Sequence, residues 1–473
     1  MTTPSEPMFA APASEALQAL RDLLGARLLL DEESRLRFGA DRSPGWIPNP
    51  SAVALPETTE EVQRIVRIAR QHRIALVPSG GRTGLCGGAV AHAGELVVAM
   101  DRMNTLLSVS PSDRSMTVQA GVITARLQEL ARERGWFYPV DFASSGSSQI
   151  GGNIATNAGG IRVIRYGMTR NQITGLVVVD GRGEVLHLNN GLAKNNTGPD
   201  FRHLFIGSEG VFGFITEATV QLLPSPPSPE VMLFAVSGFE DILDLLRRFS
   251  DVFDINAFEF FSHNALEKVT ARQNLASPVA KAPFYALVEF ESAGDGDLDS
   301  ALSIGASGME DGRILDAVLA RSTAQARAIW RLRESISDTL SAWAPWKNDI
   351  SVRVGDLAPF IQRVNALAEN SGAGLELVWY GHIGDGNIHL NILRPDGCSA
   401  AEFAGRCAPV AKGIATLLQE FRGSVSAEHG IGLLKRDYLR YSRSEAEISA
   451  LRAMKAIFDP DGIMNPGKLL PPE

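Results

Sequence analysis

The residues best suited to chemistry in this 473-residue sequence fall in a few short stretches. One is WYGHIGDGNIHLNIL, residues 379–393, in which His382 and His389 flank Asp385-Gly386. If two β-strands meet at Asp385-Gly386, a pair favoured in type I′ turns, the two imidazoles stand directly opposite one another. Side chains opposed in this way have Cβ atoms about 4.5–5.5 Å apart, close enough to share a divalent cation. A cross-strand polar pair without metal fits the same pattern. Asn387, His389 and Asn391 alternate onto one face, and Ile388, Leu390 and Ile392 onto the other. The stretch SVSAEHGIGLLK, residues 424–435, offers Glu428 as a third ligand, next to His429. Open catalytic metal sites commonly use three protein ligands, but an isolated Glu-His pair also suits a solvated surface.

A further set is cationic. In WRLRESISDTLSAWAPWKNDIS, residues 330–351, Arg333 and Ser337 are four apart and share a helical face. Lys347 follows Pro345, where the helix breaks. An exposed amphipathic helix has the same pattern. The net charge of −9 argues against nucleic acid as a partner, and it means that an anionic substrate needs a local cluster of this kind.

Two glycine-rich segments complete the candidates. SGGRTGLCGG, residues 79–88, follows a predicted strand and has five glycines in ten. Such a loop can aim successive N–H groups at an anion, yet it lacks the GxGxxG and GK[ST] signatures of nucleotide loops. SSGSSQIGGNIATNAGGIRVIRYG, residues 144–167, again combines glycine with small polar residues, which lets a bulky planar cofactor approach the backbone.

The elements that position these residues read as a mixture of helix and strand. SAVALP, TTEEVQRIVRIARQHRI and ALVPSGG predict strand, helix and strand, with Thr58 and Glu61 at capping-box spacing. A helix is expected over residues 14–30 after a loose tail at 1–15, and ITGLVVVDGRGEVLHL reads as a hairpin. A proline cluster near residue 226 marks a domain boundary. The expected divisions are 1–47, 48–226, 227–420 and 421–473. Hydrophobic residues at 45% and charged residues at 21% are ordinary globular values. Three cysteines without disulfide spacing, and no secretory or membrane-spanning stretch, lead to the expectation of a cytoplasmic protein.

PSGGRTGL, IGGNIATNAGG, YG, GSEGVFGFITEATVQL and FDPDGIMNPGK occur in that order, within a similarity that runs from about residue 50 to the C-terminus. Together they resemble the flavin-binding oxidoreductases typified by vanillyl-alcohol oxidase, and within them the D-2-hydroxyacid dehydrogenase branch. The resemblance implies an α+β fold: a two-subdomain FAD-binding domain, a cap domain with an antiparallel sheet and flanking helices, and a C-terminal segment returning to the flavin domain. It implies FAD held by Pro78, Gly80, Gly81, Arg82, Thr83, Gly84, Leu85, Gly146, Ser147, Ile150, Gly151, Gly152, Asn153, Thr156, Asn157, Gly160, Ile215 and Asn465. The first loop has no histidine to tether a flavin, so the FAD is expected to be non-covalent. It implies a divalent metal, zinc suiting the donors, on His382, His389 and Glu428, with His429 as catalytic base. It implies Arg333, Ser337, Lys347 and Asn391 as substrate-binding residues.

The implied activity is oxidation of a D-2-hydroxyacid to the 2-oxoacid by hydride transfer to flavin N5. D-2-hydroxyglutarate is preferred and D-malate is allowed, with a D-lactate dehydrogenase or a glycolate oxidase-like flavin subunit as the alternative. Lactate has no distal carboxylate and would leave the cations unmatched, at about 1–3 kcal/mol. Expected partners are the small anionic substrate and an external electron acceptor, such as electron-transferring flavoprotein or a quinone. A homodimer is allowed.

Overall fold

The computed structural model describes residues 13–227, 229–292 and 294–471. Residues 1–12 of the expected tail lie outside the described residues. The chain divides into two compact units. The first takes the described residues through Gly159, then Met168–Ser225, then Glu428 onward. The second takes Gly160–Gly167 and Pro226–Ala427.

The first unit contains two sheets. In one, Ala52–Ala54 and Leu76–Ser79 each pair in parallel with Leu96–Ala99, and Leu28–Leu29 adds an antiparallel edge. The strand–helix–strand reading holds, but the two strands flank a third instead of each other. The intervening helix Thr59–His72 buries Val62, Ile65, Val66 and Ala69, the face its periodicity defines. Thr58 caps it by accepting the Glu61 N–H, while the Glu61 carboxylate binds the Glu57 N–H at 2.7 Å and Arg27 at 2.6 Å. The reciprocal arm of the capping box is thus diverted. The expected helix at 14–30 stops earlier, at Ser14–Leu24, because Leu28–Leu29 is recruited as sheet edge.

The other sheet is antiparallel, in the order Leu106–Ser110, Ser115–Gln119, Gly213–Gln221, Ile173–Asp180, Val185–Leu188. The expected hairpin closes where Asp180 Oδ1 accepts the N–H groups of Arg182 and Glu184, both at 2.9 Å. The C-terminal segment returns to this unit. Leu76 donates to the Ile463 carbonyl and accepts from the Asn465 N–H, both at 2.8 Å. Lys455 gathers the carbonyls of Val211 and Met464 and the Asp459 carboxylate.

The second unit is a seven-stranded antiparallel sheet. Its order is Ile314–Leu319, Glu230–Val236, Phe284–Phe290, Ile255–Ser262, Glu376–His382, Asn387–Leu393, Trp346–Ser351. One face presents Phe234, Phe258, Phe260, Phe290, Ile388, Leu390 and Ile392, all buried. Each such side chain contributes about 1.5–3 kcal/mol by leaving water. The opposite face is apolar at one end, where Leu233, Phe261, Tyr285, Leu287 and Val378 pack with Leu266, Ile329 and Ile336 from flanking helices. It turns polar toward the strands that end the sheet. Gly160–Gly167, which the sequence groups with the flavin domain, belongs here because its helix Val163–Tyr166 carries Arg165, ion-paired to Asp254 at 2.6 Å and Glu291 at 3.1 Å.

Candidate active site

The polar end of the cap sheet gathers most of the predicted substrate and metal residues. Strand pairing sets Lys347 against Asn391, Asp349 against His389, and Tyr380 against His389 from the other side. These residues and His382 therefore share one face, as alternation requires. His389, His382, Asn391 and Asp349 are buried, which makes a bare polar cluster costly unless its groups are paired.

The hairpin register differs from the direct opposition predicted. His382 pairs with Asn387, and His389 with Tyr380. The connection is not a two-residue turn. Ile383–Asp385 forms a short 3₁₀ turn, and Gly386 closes it at φ +83°. That shifts the pairing by two residues, so the face is kept and the two histidines become diagonal neighbours. Their ring centroids are 5.2 Å apart and the planes are nearly perpendicular at 83°.

Behind His382 stands Glu259, in the middle of the strand Ile255–Ser262 and fully buried. Its Oε1 is 2.7 Å from His382 Nδ1, and its Oε2 is 2.7 Å from Arg333 Nη2. Arg333 is in the last turn of the helix Thr323–Glu334 and lies with its guanidinium 5.1 Å from the centre of the Tyr380 ring. It is buried, and its Nε and Nη2 have no hydrogen-bond acceptor among the described residues; Nη2 is near Glu259 but not aligned on it. Ser337 lies in a separate short helix, Ile336–Leu340, and is exposed, as is Lys347. Asn391 Nδ2 donates to the Tyr380 hydroxyl at 3.3 Å. Burial raises the Tyr380 phenol above its ordinary value, with Ser337, Arg333 and Asn391 opposing that rise.

Glu259, Asp349 and Tyr380 escaped the sequence reading. Glu259 had a signal, a lone charge in the apolar strand INAFEFFS. Asp349 had a weaker one, two residues from Lys347 and so on the same strand face.

Residues 424–427 run beside Trp346–Ser351: Ser424 and Ser351 exchange backbone hydrogen bonds, and the Ala427 N–H donates to the Asp349 carbonyl at 3.3 Å. Glu428 and His429 are the next residues in the chain, both half-buried, with His429 Nε2 3.8 Å from Glu428 Oε1. The turn after them is held by Glu209, whose carboxylate accepts the N–H groups of Ile431 at 2.8 Å and Gly432 at 2.7 Å. Gly432 sits at φ +51°, and a Cβ there would fall 2.1 Å from the Cys86 carbonyl oxygen, so no other residue fits.

Burial pushes the Glu209 carboxyl above the usual range, partly offset by those two donors. Glu209→Gln is expected to leave one N–H without its acceptor, at a local cost of about 1–3 kcal/mol. Amide exchange at Ile431 and Gly432 should quicken. Because the folded-state value is raised, the wild-type contribution is present at low pH and lost as pH climbs through that value. The glutamine variant should be flat over the same window, and unaltered exchange and pH response would remove Glu209 from this role.

The glycine-rich segments meet within the first unit. A Cβ on Gly81 would lie 2.2 Å from the Ser147 carbonyl oxygen, and one on Gly151 would lie 2.7 Å from the Ala120 methyl. Packing explains both. It does not explain Gly146 or Gly152, where a Cβ would meet nothing within 4 Å. Among the described residues, no protein acceptor meets the N–H groups of Gly81, Arg82, Thr83 or Gly84. Open space beside glycines together with unclaimed backbone donors fits a phosphate-bearing planar cofactor.

The Arg82 side chain is committed elsewhere, to Asp101 through two bonds of 2.9 Å, so only its backbone is free for such a ligand. Pro78 lies within the preceding strand, Leu76–Ser79, and Leu85 in the loop that follows it. Ile150, Asn153 and Ile215 are buried packing residues; Asn153 donates to Thr124 at 2.7 Å. Thr156 bonds the Gly152 carbonyl, and Asn157 caps the helix Ile150–Thr156. Asn465 bridges the carbonyls of Gly88 and Glu209, and Gly160 falls in the second unit.

Two family models match the chain, and the second runs through Glu428 into the segment that the structure assigns to the first unit. Residues 50–189 match the family described as FAD binding domain, and residues 225–469 match FAD linked oxidases, C-terminal domain. A D-2-hydroxyglutarate dehydrogenase of Stutzerimonas stutzeri (strain A1501) is 50% identical over 444 residues, 94% of this chain and 96% of that protein. Another from Xanthomonas citri pv. viticola is 47% identical over 443 residues, 94% of each. The crystal structure of p-cresol methylhydroxylase with substrate bound has a TM-score of 0.76 at 17% identity, over 97% of this chain and 96% of that one, a likeness of fold alone.

Proposed function

The chain belongs to the FAD-linked oxidases, and from that premise we propose that it is a D-2-hydroxyglutarate dehydrogenase that also accepts D-malate. The observation that carries the dicarboxylate reading is Arg333: a buried guanidinium with two nitrogens lacking acceptors, on the same sheet face as Asn391. A carboxylate supplies acceptors in the fork geometry that arginine requires. Arg333, Ser337 and Lys347 bind the distal carboxylate, and Asn391 donates to the C1 carboxylate.

His382, His389 and Glu428 hold a divalent cation, zinc by the donor set. The reading is supported by the carboxylates beside both imidazoles, Glu259 at 2.7 Å from His382 and Asp349 at 3.6 Å from His389, a common arrangement behind metal-bound histidine. With Nδ1 facing Glu259, Nε2 of His382 is the nitrogen for the metal. When bound, the cation would supply a Lewis acid that lowers the pKa of the substrate hydroxyl, and FAD would supply N5 as the acceptor of the C2 hydride. His429 takes the hydroxyl proton as general base. Electron-transferring flavoprotein or a quinone serves as external acceptor.

Among the described residues no helix is long and apolar enough to cross a membrane. Cys86, Cys398 and Cys407 form no disulfide among the described residues, which favours a reducing compartment, here taken as the cytoplasm.

Anaerobic flavin bleaching tests the proposal. D-2-hydroxyglutarate and D-malate should bleach the flavin quickly, EDTA should abolish the response, and zinc should restore it. Bleaching by D-lactate in preference to the dicarboxylates would refute the carboxylate clamp, and bleaching indifferent to complete metal removal would refute the metal site.

A further inference from the structure

We infer that Glu259 is a positioning residue that holds a metal ligand and the carboxylate-binding arginine on one carboxylate. The inference rests on the dehydrogenase reading, since that reading gives His382 and Arg333 their roles. Its basis is geometric. Glu259 projects from the central strand Ile255–Ser262, next to the strand that ends at His382, and is fully buried. Its two oxygens face different partners: Oε1 is 2.7 Å from His382 Nδ1, and Oε2 is 2.7 Å from Arg333 Nη2. A rigid strand therefore fixes both groups at once.

The two contacts do different work. On His382 the carboxylate selects the Nδ1–H tautomer, orients the ring and increases the electron density that Nε2 offers to a cation. On Arg333 it supplies the counter-charge that a buried guanidinium needs. The contact is not aligned as a hydrogen bond, so Arg333 stays over the Tyr380 ring with donors left for an incoming anion. A fully bonded arginine would lose that capacity, and an arginine with no counter-charge would not be held in place.

The test uses Glu259→Gln, close to isosteric, in the FAD-loaded full chain. Zinc affinity is measured without substrate, by chelator competition on metal-stripped protein, and should weaken about 10–100-fold. At saturating zinc, KM for D-2-hydroxyglutarate should rise about tenfold, with a smaller change in kcat. A merely structural glutamate would lower melting temperature and flavin content without that split. Glu259→Asp keeps the charge but shortens its reach. It should retain the fold, weaken zinc binding less than Gln does, and serve as the decisive variant if Gln does not fold. Wild-type zinc affinity and an unchanged KM in a folded variant would overturn the inference alone. A wild-type protein that binds no zinc would overturn the metal site and this inference with it, and a flavin untouched by D-2-hydroxyglutarate would overturn the dehydrogenase reading itself.

Discussion

Arg333→Leu is expected to lower kcat/KM for D-2-hydroxyglutarate about 10²–10³-fold, because a carboxylate loses its charge-assisted donors in a desolvated setting. Most of the loss should fall on KM. The same change removes the counter-charge of fully buried Glu259, and breaking a buried ion pair typically costs about 3–5 kcal/mol. The two effects are separable. In Arg333→Leu/Glu259→Leu no charge is left stranded, so melting temperature should recover while kcat/KM stays low. Arg333→Lys should fall between, since an ammonium keeps the charge but not the fork. Steady-state kinetics and thermal unfolding on the same preparations check both. A single variant with wild-type KM would remove Arg333 from the substrate site.

The reach of the sequence can be judged from the same residues. Alternation in NIHLNIL placed Asn387, His389 and Asn391 on one face, and the structure keeps them there. The register failed by two residues, because an Asp-Gly pair does not reveal whether the chain inserts a 3₁₀ turn before it. The error was harmless, since a shift of two preserves the face, where a shift of one would have separated His382 from His389. Tertiary partners were harder to read. Glu259 is 123 residues from His382, and Glu209 is 222 from Ile431. Nothing local marks a carboxylate as a support for a distant loop; only its isolation among apolar neighbours hints at it. The glycine loops were legible as loops, but which glycines answer to packing and which leave open space depends on contacts such as Gly81 with Ser147.

His429→Asn should slow flavin reduction by D-2-hydroxyglutarate about 10²–10⁴-fold, the range a positioned general base contributes. Asparagine retains a polar side chain of similar reach but cannot accept a full proton. The backbone turn that carries position 429 is pinned two residues later by Glu209, so the substitution should leave the loop in place. Flavin content and zinc affinity should therefore match the wild type, and the substrate should still bind. Glu428→Gln provides the contrast. If Glu428 is a metal ligand, its loss weakens zinc binding and part of the rate returns when zinc is raised. The His429→Asn rate should not respond to zinc at all. Anaerobic stopped-flow at rising zinc distinguishes the two: recovery of His429→Asn by zinc would make His429 a ligand, and an undiminished rate would leave the proton to another group.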